Sequence, residues 1–238
     1  MNKLFTIGYA NKSFDQFLSI LKKNGITCVV DVRTSPYSHQ FPQYNKEVLK
    51  DNLKHNEIWY IEFGKYFGAR RYEDTVYKRI KNYDDTEFDV VIFDRVYDLQ
   101  VFQDGYKRIL DGLNKGFSIA FLCSEKFPYD CHRSIMIAEY FYSRGFNIMH
   151  LIDENTVLEH TDCDYFIQQK FLNAKKKFYS IHKYKLEELD YGGGFFGYSF
   201  SDKRFIDWVD FFKTYDRKKG YYLRNIEIGY KKGDTDDE

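Results

Sequence analysis

One short stretch, LCSEKFPYDCHRSIMIAEYF at residues 122 to 141, brings together Cys123, Glu125, Cys131, His132 and Arg133. A cysteine attacks as its thiolate, and an arginine or a helix N-terminus beside it favours that form, so Cys123 and Cys131 are candidate nucleophiles. Glu125 and His132 are side chains that can exchange a proton with a reacting group. Arg133 carries a planar fork that fits phosphate or carboxylate. Cations in the first turn of a helix oppose its dipole and call for an anion or an acidic partner. The packing alternative is that Cys123, at the end of an apolar run, is simply core, as cysteines often are. Cys123, Cys131, His132 and His150 are also types that bind zinc. The gap from Cys123 to Cys131 is nevertheless wider than a paired-ligand knuckle, and no second short-spaced pair exists, so no metal is expected.

Two further stretches carry more polar residues than a short connector needs: TIGYANKS near the N-terminus and DVRTSPYSHQFPQYNK from residue 31. A long loop on a rigid sheet is a common place for ligand binding. Arg33 is the candidate anion holder there. Its alternative is a structural ion pair with Asp31, and Asn45 has the alternative of capping the helix that follows. FGKYFGARRYED interleaves aromatics with Lys65, Arg70 and Arg71, a mix that suits bases and phosphates. In a chain with 22 Tyr and 23 Phe such neighbours also arise by chance. YGGGFFGYSF lacks the Lys-Ser/Thr of a phosphate cradle and reads as a packed loop.

These residues need a scaffold. KLFTIGY and CVVDVR read as strands flanking SFDQFLSILKKNGI, a helix with Ser13 as cap and Gly25 as stop. Strand, helix and strand at this spacing make a parallel βαβ unit. The alternation continues through a helix from Asn45, IWYIEF, FQDGYKRILDGLNKG, SIAFLC, HRSIMIAEYFYSRG with Gly145 as stop, and NIMHLI. It predicts an α/β fold, a three-layer sandwich with a largely parallel sheet over residues 1–152. Residues 72 to 99 read as an insertion with a short helical pattern and a charged loop. Residues 153–238 read as a mostly helical C-terminal extension packing on the first domain. Its stripe Phe205, Ile206, Trp208, Val209 and Phe212 is either core or a homo-oligomer surface.

The chain has 238 residues, 43% hydrophobic, enough for one large core. Lys+Arg and Asp+Glu are both 36, which excludes a global pull toward nucleic acid or an acidic membrane; any such contact is local. Four irregularly placed cysteines argue against a disulfide scaffold. MNKLFTIGYA lacks the pattern of a secretory signal, and no apolar run approaches the length that spans a bilayer. The expectation is a cytoplasmic protein with no membrane partner.

TIGYANKSFDQFLSILKKNGI, VVDVRTSPYSHQFPQYNKEVL and LCSEKFPYDCHRSIMIAEYF together resemble the blocks of the bacterial and archaeal domain of unknown function 488, over about Leu4 to His150. The positions that match are Gly8, Asp31, Arg33, Pro36, Asn45, Lys46, Cys123, Glu125, Cys131, His132 and Arg133. The chain has Gly64-Lys65 where that family usually has adjacent glycines. The resemblance implies an α/β domain and adds Gly8 and Lys46 to the residues expected near a ligand. A more distant similarity of layout links VVDVRTSP and AFLCSE…CHRS to rhodaneses, although nine residues separate Cys123 from Arg133 here.

The ligand edge of an open parallel sheet is its carboxyl end. An enzyme is therefore expected, with a phosphate-binding pocket at that edge. Gly8, Arg33, Asn45, Lys46 and Arg133 would hold the anion, and Cys123, Glu125, Cys131 and His132 would do the chemistry. Its partner would be a phosphate-bearing small molecule, a nucleotide or a nucleic acid; no cofactor is assigned. The rival is a non-catalytic nucleotide or nucleic-acid binding module with the cysteines as packing.

Overall fold

The computed structural model describes residues 3–183 and 203–232, with no side-chain description for 203–206. Its centre is a six-stranded sheet in the order β3-β2-β6-β1-β7-β8. The strands are β1 (Lys3–Gly8), β2 (Cys28–Asp31), β3 (Trp59–Glu62), β6 (Ile119–Cys123), β7 (Asn147–Leu151) and β8 (Val157–Glu159). All neighbours pair in parallel except β7 with β8. The mostly parallel sheet between helical layers is the expected α/β architecture.

Alternation along the strands explains the layers. Val29, Ala120 and Leu122 face one side, against Phe17, Ile20 and Leu21 of α1 (Phe14–Lys23) and Leu49 and Leu53 of α2 (Lys46–His55). Cys28, Val30, Phe121 and Cys123 face the other, against Phe102 and Ile109 of α5 (Gln100–Asn114) and Phe141 of α6 (Glu139–Tyr142). Ser13 caps α1 with a full capping box, and Gly25 follows it at φ +63°.

The order of strands matters most for function. β6 is inserted between β2 and β1, so Cys123 pairs with Gly8 on one side while Leu122 pairs with Asp31 on the other. Three carboxyl-end loops far apart in sequence therefore meet at the middle of the sheet.

The 72–99 segment contains a hairpin, β4 (Tyr77–Lys81) with β5 (Glu87–Val91), and the short helix α4 (Phe93–Val96). The C-terminal extension opens with β8 on the sheet edge and continues as α7 (Asp162–Ile181), α8 (Lys203–Lys213) and α9 (Arg217–Ile228). Cys163, Ile167 and Tyr221 join the core of the first domain. Trp208 and Phe212 pack with Phe171, Phe178 and Tyr83, so these members of the C-terminal stripe serve as core. Phe205 and Ile206 lie outside the described side chains, as YGGGFFGYSF lies outside the described residues. Among the described residues no helix is long and apolar enough to cross a membrane.

Candidate functional site

The segment after β6 makes a 3-10 turn at Pro128–Asp130, stays extended at Cys131, and winds into a π-helix over Arg133–Ala138 that runs into α6. This path folds Cys131 and His132 back over the end of β6. His132 Nδ1 lies 3.6 Å from Cys123 Sγ and 3.9 Å from Cys131 Sγ, while Cys131 Sγ–H donates to Glu125 Oε2 at 2.8 Å. The other ring nitrogen, Nε2, is 3.2 Å from the Val32 carbonyl, which can only accept. The proton of a neutral ring therefore sits on Nε2, and the Nδ1 lone pair faces the two sulfurs.

Burial sets the charges in this cluster. It pushes both thiols up, Cys131 further than Cys123. Burial also opposes charge on His132 and Glu125. For His132 it is outweighed by the Cys131 hydrogen bond and the Glu125 carboxylate, which raise the ring. For Glu125 it is outweighed by His132 and the thiol hydrogen bonds, which hold the carboxyl below its usual range.

Arg133 departs from its expected role. It is fully buried, and its guanidinium donates to Glu125 O at 2.6 Å, Lys126 O at 3.0 Å and Thr6 Oγ1 at 3.3 Å. Main-chain carbonyls and the Thr6 hydroxyl meet all three guanidinium nitrogens, and the side chain does not line the cleft, so Arg133 clamps the loop. Gly8 belongs to the same clamp. A Cβ there would lie 1.8 Å from the Glu125 carbonyl oxygen and 3.1 Å from Arg133 Nη1, so glycine is required by the close approach of the loop.

Arg33 stays at the cleft. Its fork pairs with Asp31 at 2.9 and 2.5 Å and donates to Tyr44 O at 2.9 Å, while Asp31 also accepts from Tyr60. The ion pair considered from sequence is real, but it leaves Nη1 buried with no hydrogen-bond partner, in a side chain 3% exposed. The guanidinium lies 5.1 Å from the Tyr9 ring centroid. Burial opposes its charge; Asp31 outweighs that effect, with the Tyr9 hydroxyl beside the guanidinium adding to it, although Tyr9 makes no hydrogen bond of good geometry to Nη1. Asn45 and Lys46 do not line the cleft. Asn45 sits at the N-cap position without a side-chain cap bond, its Oδ1 accepting instead from Ser38 N–H at 2.7 Å, and Lys46 pairs with Glu62. Both brace the loop that carries Arg33.

These loops enclose a cavity of about 300 Å³. Cys123, Glu125 and His132 are at one part of its wall, Arg33 and Arg70 supply charge, and Tyr9, Tyr37, Phe41 and Tyr230 supply rings. Ser35, Ser38 and Ser124 add hydroxyls. Cys131 and Arg133 are absent from the lining. Tyr230 carried no sequence signal: it arrives because the chain after α9 runs beside β5, with Val91 N–H bonded to Tyr230 O. Arg70 lay in a basic-aromatic run whose other arginine, Arg71, turns its Nη1 and Nη2 to the Lys65 and Tyr66 carbonyls.

No curated protein and no solved structure matches the chain. The family model described as domain of unknown function DUF488 matches residues 13–141, which takes in α1, the Arg33 loop and the whole cysteine-histidine segment. The chain belongs to the DUF488 family.

Proposed function

We propose that the cleft binds a phosphate-bearing small molecule of nucleotide size and that the protein is an enzyme acting on it. The observation that carries this reading is Arg33 Nη1, a buried donor with no partner on the wall of the cavity. Leaving such a group unpaired costs on the order of 1–3 kcal/mol, more where it is charged, and an anionic ligand removes that cost. Arg70 stands on the same wall as a second charge. The aromatic lining suits a flat ring, and the volume lies at the lower end of small-molecule sites. A polymer is less well matched, since the net charge is zero.

Reactive groups at the same cavity favour an enzyme over a module. Glu125 is held ionised and His132 takes a proton more readily than usual, which is the separation of roles that acid–base chemistry uses. One observation favours the rival: burial keeps both thiols protonated at rest, as inert packing would. Four cysteines, none of them in a disulfide, are the ground for proposing a cytoplasmic location.

Calorimetric titration with inorganic phosphate and a set of nucleoside phosphates tests the reading, with each ligand also followed for turnover by phosphorus NMR. Arg33→Lys keeps the charge against Asp31 but loses the fork, and is expected to weaken binding about 10-fold or more. Unchanged binding in both Arg33→Lys and Arg70→Ala would defeat the anion cleft. Binding without turnover of any bound ligand would favour the module.

A further inference from the structure

We infer that Cys123, Cys131 and His132 form a binding site for a thiophilic divalent ion of the zinc class, at the wall of the cleft. Their ligand atoms, two Sγ and Nδ1, all lie within 4.8 Å of one another, and all three residues are buried. Zinc bonds of about 2.3 Å to sulfur and about 2.0 Å to nitrogen, at tetrahedral angles, separate the two donor atoms by roughly 3.6 Å. The separations of His132 Nδ1 from the two sulfurs are 3.6 and 3.9 Å. The imidazole nitrogen thus stands at ligand spacing from each sulfur before any ion is added.

The surroundings hold the donors in that state. The Val32 carbonyl takes the Nε2 proton of His132, which is the outer-sphere bond that presents Nδ1 to a metal. The Arg133 backbone N–H points at Cys131 Sγ from 3.4 Å, the orientation that stabilises a bound thiolate. Cys123 and His132 border the cavity and Cys131 does not, so a fourth coordination position opens toward the cavity with Glu125 beside it. Three protein ligands and one open position is the arrangement of reactive zinc sites, not of structural ones. The spacing argument against a metal fails here because tertiary structure, not a short knuckle, joins a strand end to a helix start.

The other cluster of metal-binding types, His150, His160 and Cys163, is different. Its ring nitrogens are already committed: His150 to Thr6 and His160, and His160 to Glu139. No pair of imidazole lone pairs is left facing a common point.

A role for the ion in chemistry rests on the proposed cleft, and with the ion on Nδ1 the proton-exchanging side chain there is Glu125 and not His132; binding of the ion does not rest on the cleft, so the two are separable. The test uses the full chain, kept reduced, stripped with a chelator and titrated with Zn²⁺ and with Co²⁺. The expected result is a single equivalent bound, with a cobalt–thiolate charge-transfer band and the visible bands of tetrahedral cobalt. Cys123→Ser and Cys131→Ser each weaken the metal by roughly 100-fold or more and lose the band. Cys163→Ser and Arg33→Lys retain it, the latter even where phosphate binding is lost. Absence of the thiolate band in the folded wild-type chain overturns the site without recourse to any variant. A band that survives both cysteine substitutions, or one that vanishes with Cys163→Ser, overturns it equally.

Discussion

Arg33 shows how one side chain serves both fold and cleft. Its pairing with Asp31 buries a carboxylate that needs a cation beside it, and Tyr60 is the carboxylate's other side-chain partner. Arg33→Ala leaves the buried Asp31 carboxyl without its cation and is expected to cost about 3–5 kcal/mol of stability. Urea unfolding measures it, and a loss comparable to an exposed arginine would refute the account. Arg33→Lys should fall well short of that loss, which is why it is the better probe of the cleft. Arg133 makes the complementary point: the same residue type, equally buried, has every guanidinium nitrogen bonded to a carbonyl or a hydroxyl and does not line the cavity.

At the scale of elements, the cleft depends on segments held by few but buried bonds. Asn225 of α9 donates to Val91 O at 2.7 Å and accepts from Phe93 N–H at 2.9 Å. It thereby ties the helix to the β5–α4 junction, and the chain that follows carries Tyr230 to the cavity. Asn225→Ala strands two buried backbone groups and is expected to cost roughly 2–4 kcal/mol. It should also weaken cleft binding, since Tyr230 loses its anchor. Denaturant unfolding and the calorimetric titration read the two effects. Unaltered stability would show that the junction does not rely on this side chain.

Across the molecule a line of buried polar groups crosses from the loop clamp to the C-terminal helices. Arg133 reaches Thr6, Thr6 bonds His150, His150 bonds His160, and His160 meets Glu139, which pairs with Arg217 of α9. His150 is held well below the usual histidine range by burial, with His160 and Arg133 adding to it. An unfolded histidine titrates near about 6.5, so in acid the unfolded chain binds a proton that the folded chain refuses. Stability from this group is therefore present above that pH and lost as pH falls below it, by up to about 1.4 kcal/mol per pH unit. Glu125 and Glu139 are held below their usual range, so their contributions disappear only in stronger acid, below about pH 4.3. His132, whose ring is raised, contributes with the opposite sign over the same range, so the group is isolated by difference: in urea unfolding from about pH 7 to about pH 5, the wild-type chain should lose more stability than His150→Gln. An equal slope in the variant would assign the decline elsewhere.

The elements of the α/β domain were legible because local rules and burial agree there. Apolar runs make the strands, Phe17 and Leu21 give α1 its inner face, Ser13 and Gly25 mark its ends, and each depends only on neighbours in the chain. The residues around the site were legible as types: Arg33, Glu125, Cys123 and His132 do meet at one cavity. Their roles were not, because a guanidinium's role depends on what fills its fork. Arg133 meets carbonyls, and Arg33 meets Asp31 with one nitrogen to spare. Nor does local sequence contain the insertion of β6 between β1 and β2, the backward path that lays His132 against Cys123, or the delivery of Tyr230. Those follow from long-range pairing, which is decided by the whole core at once, and it is long-range pairing that turns three separate loops into one site.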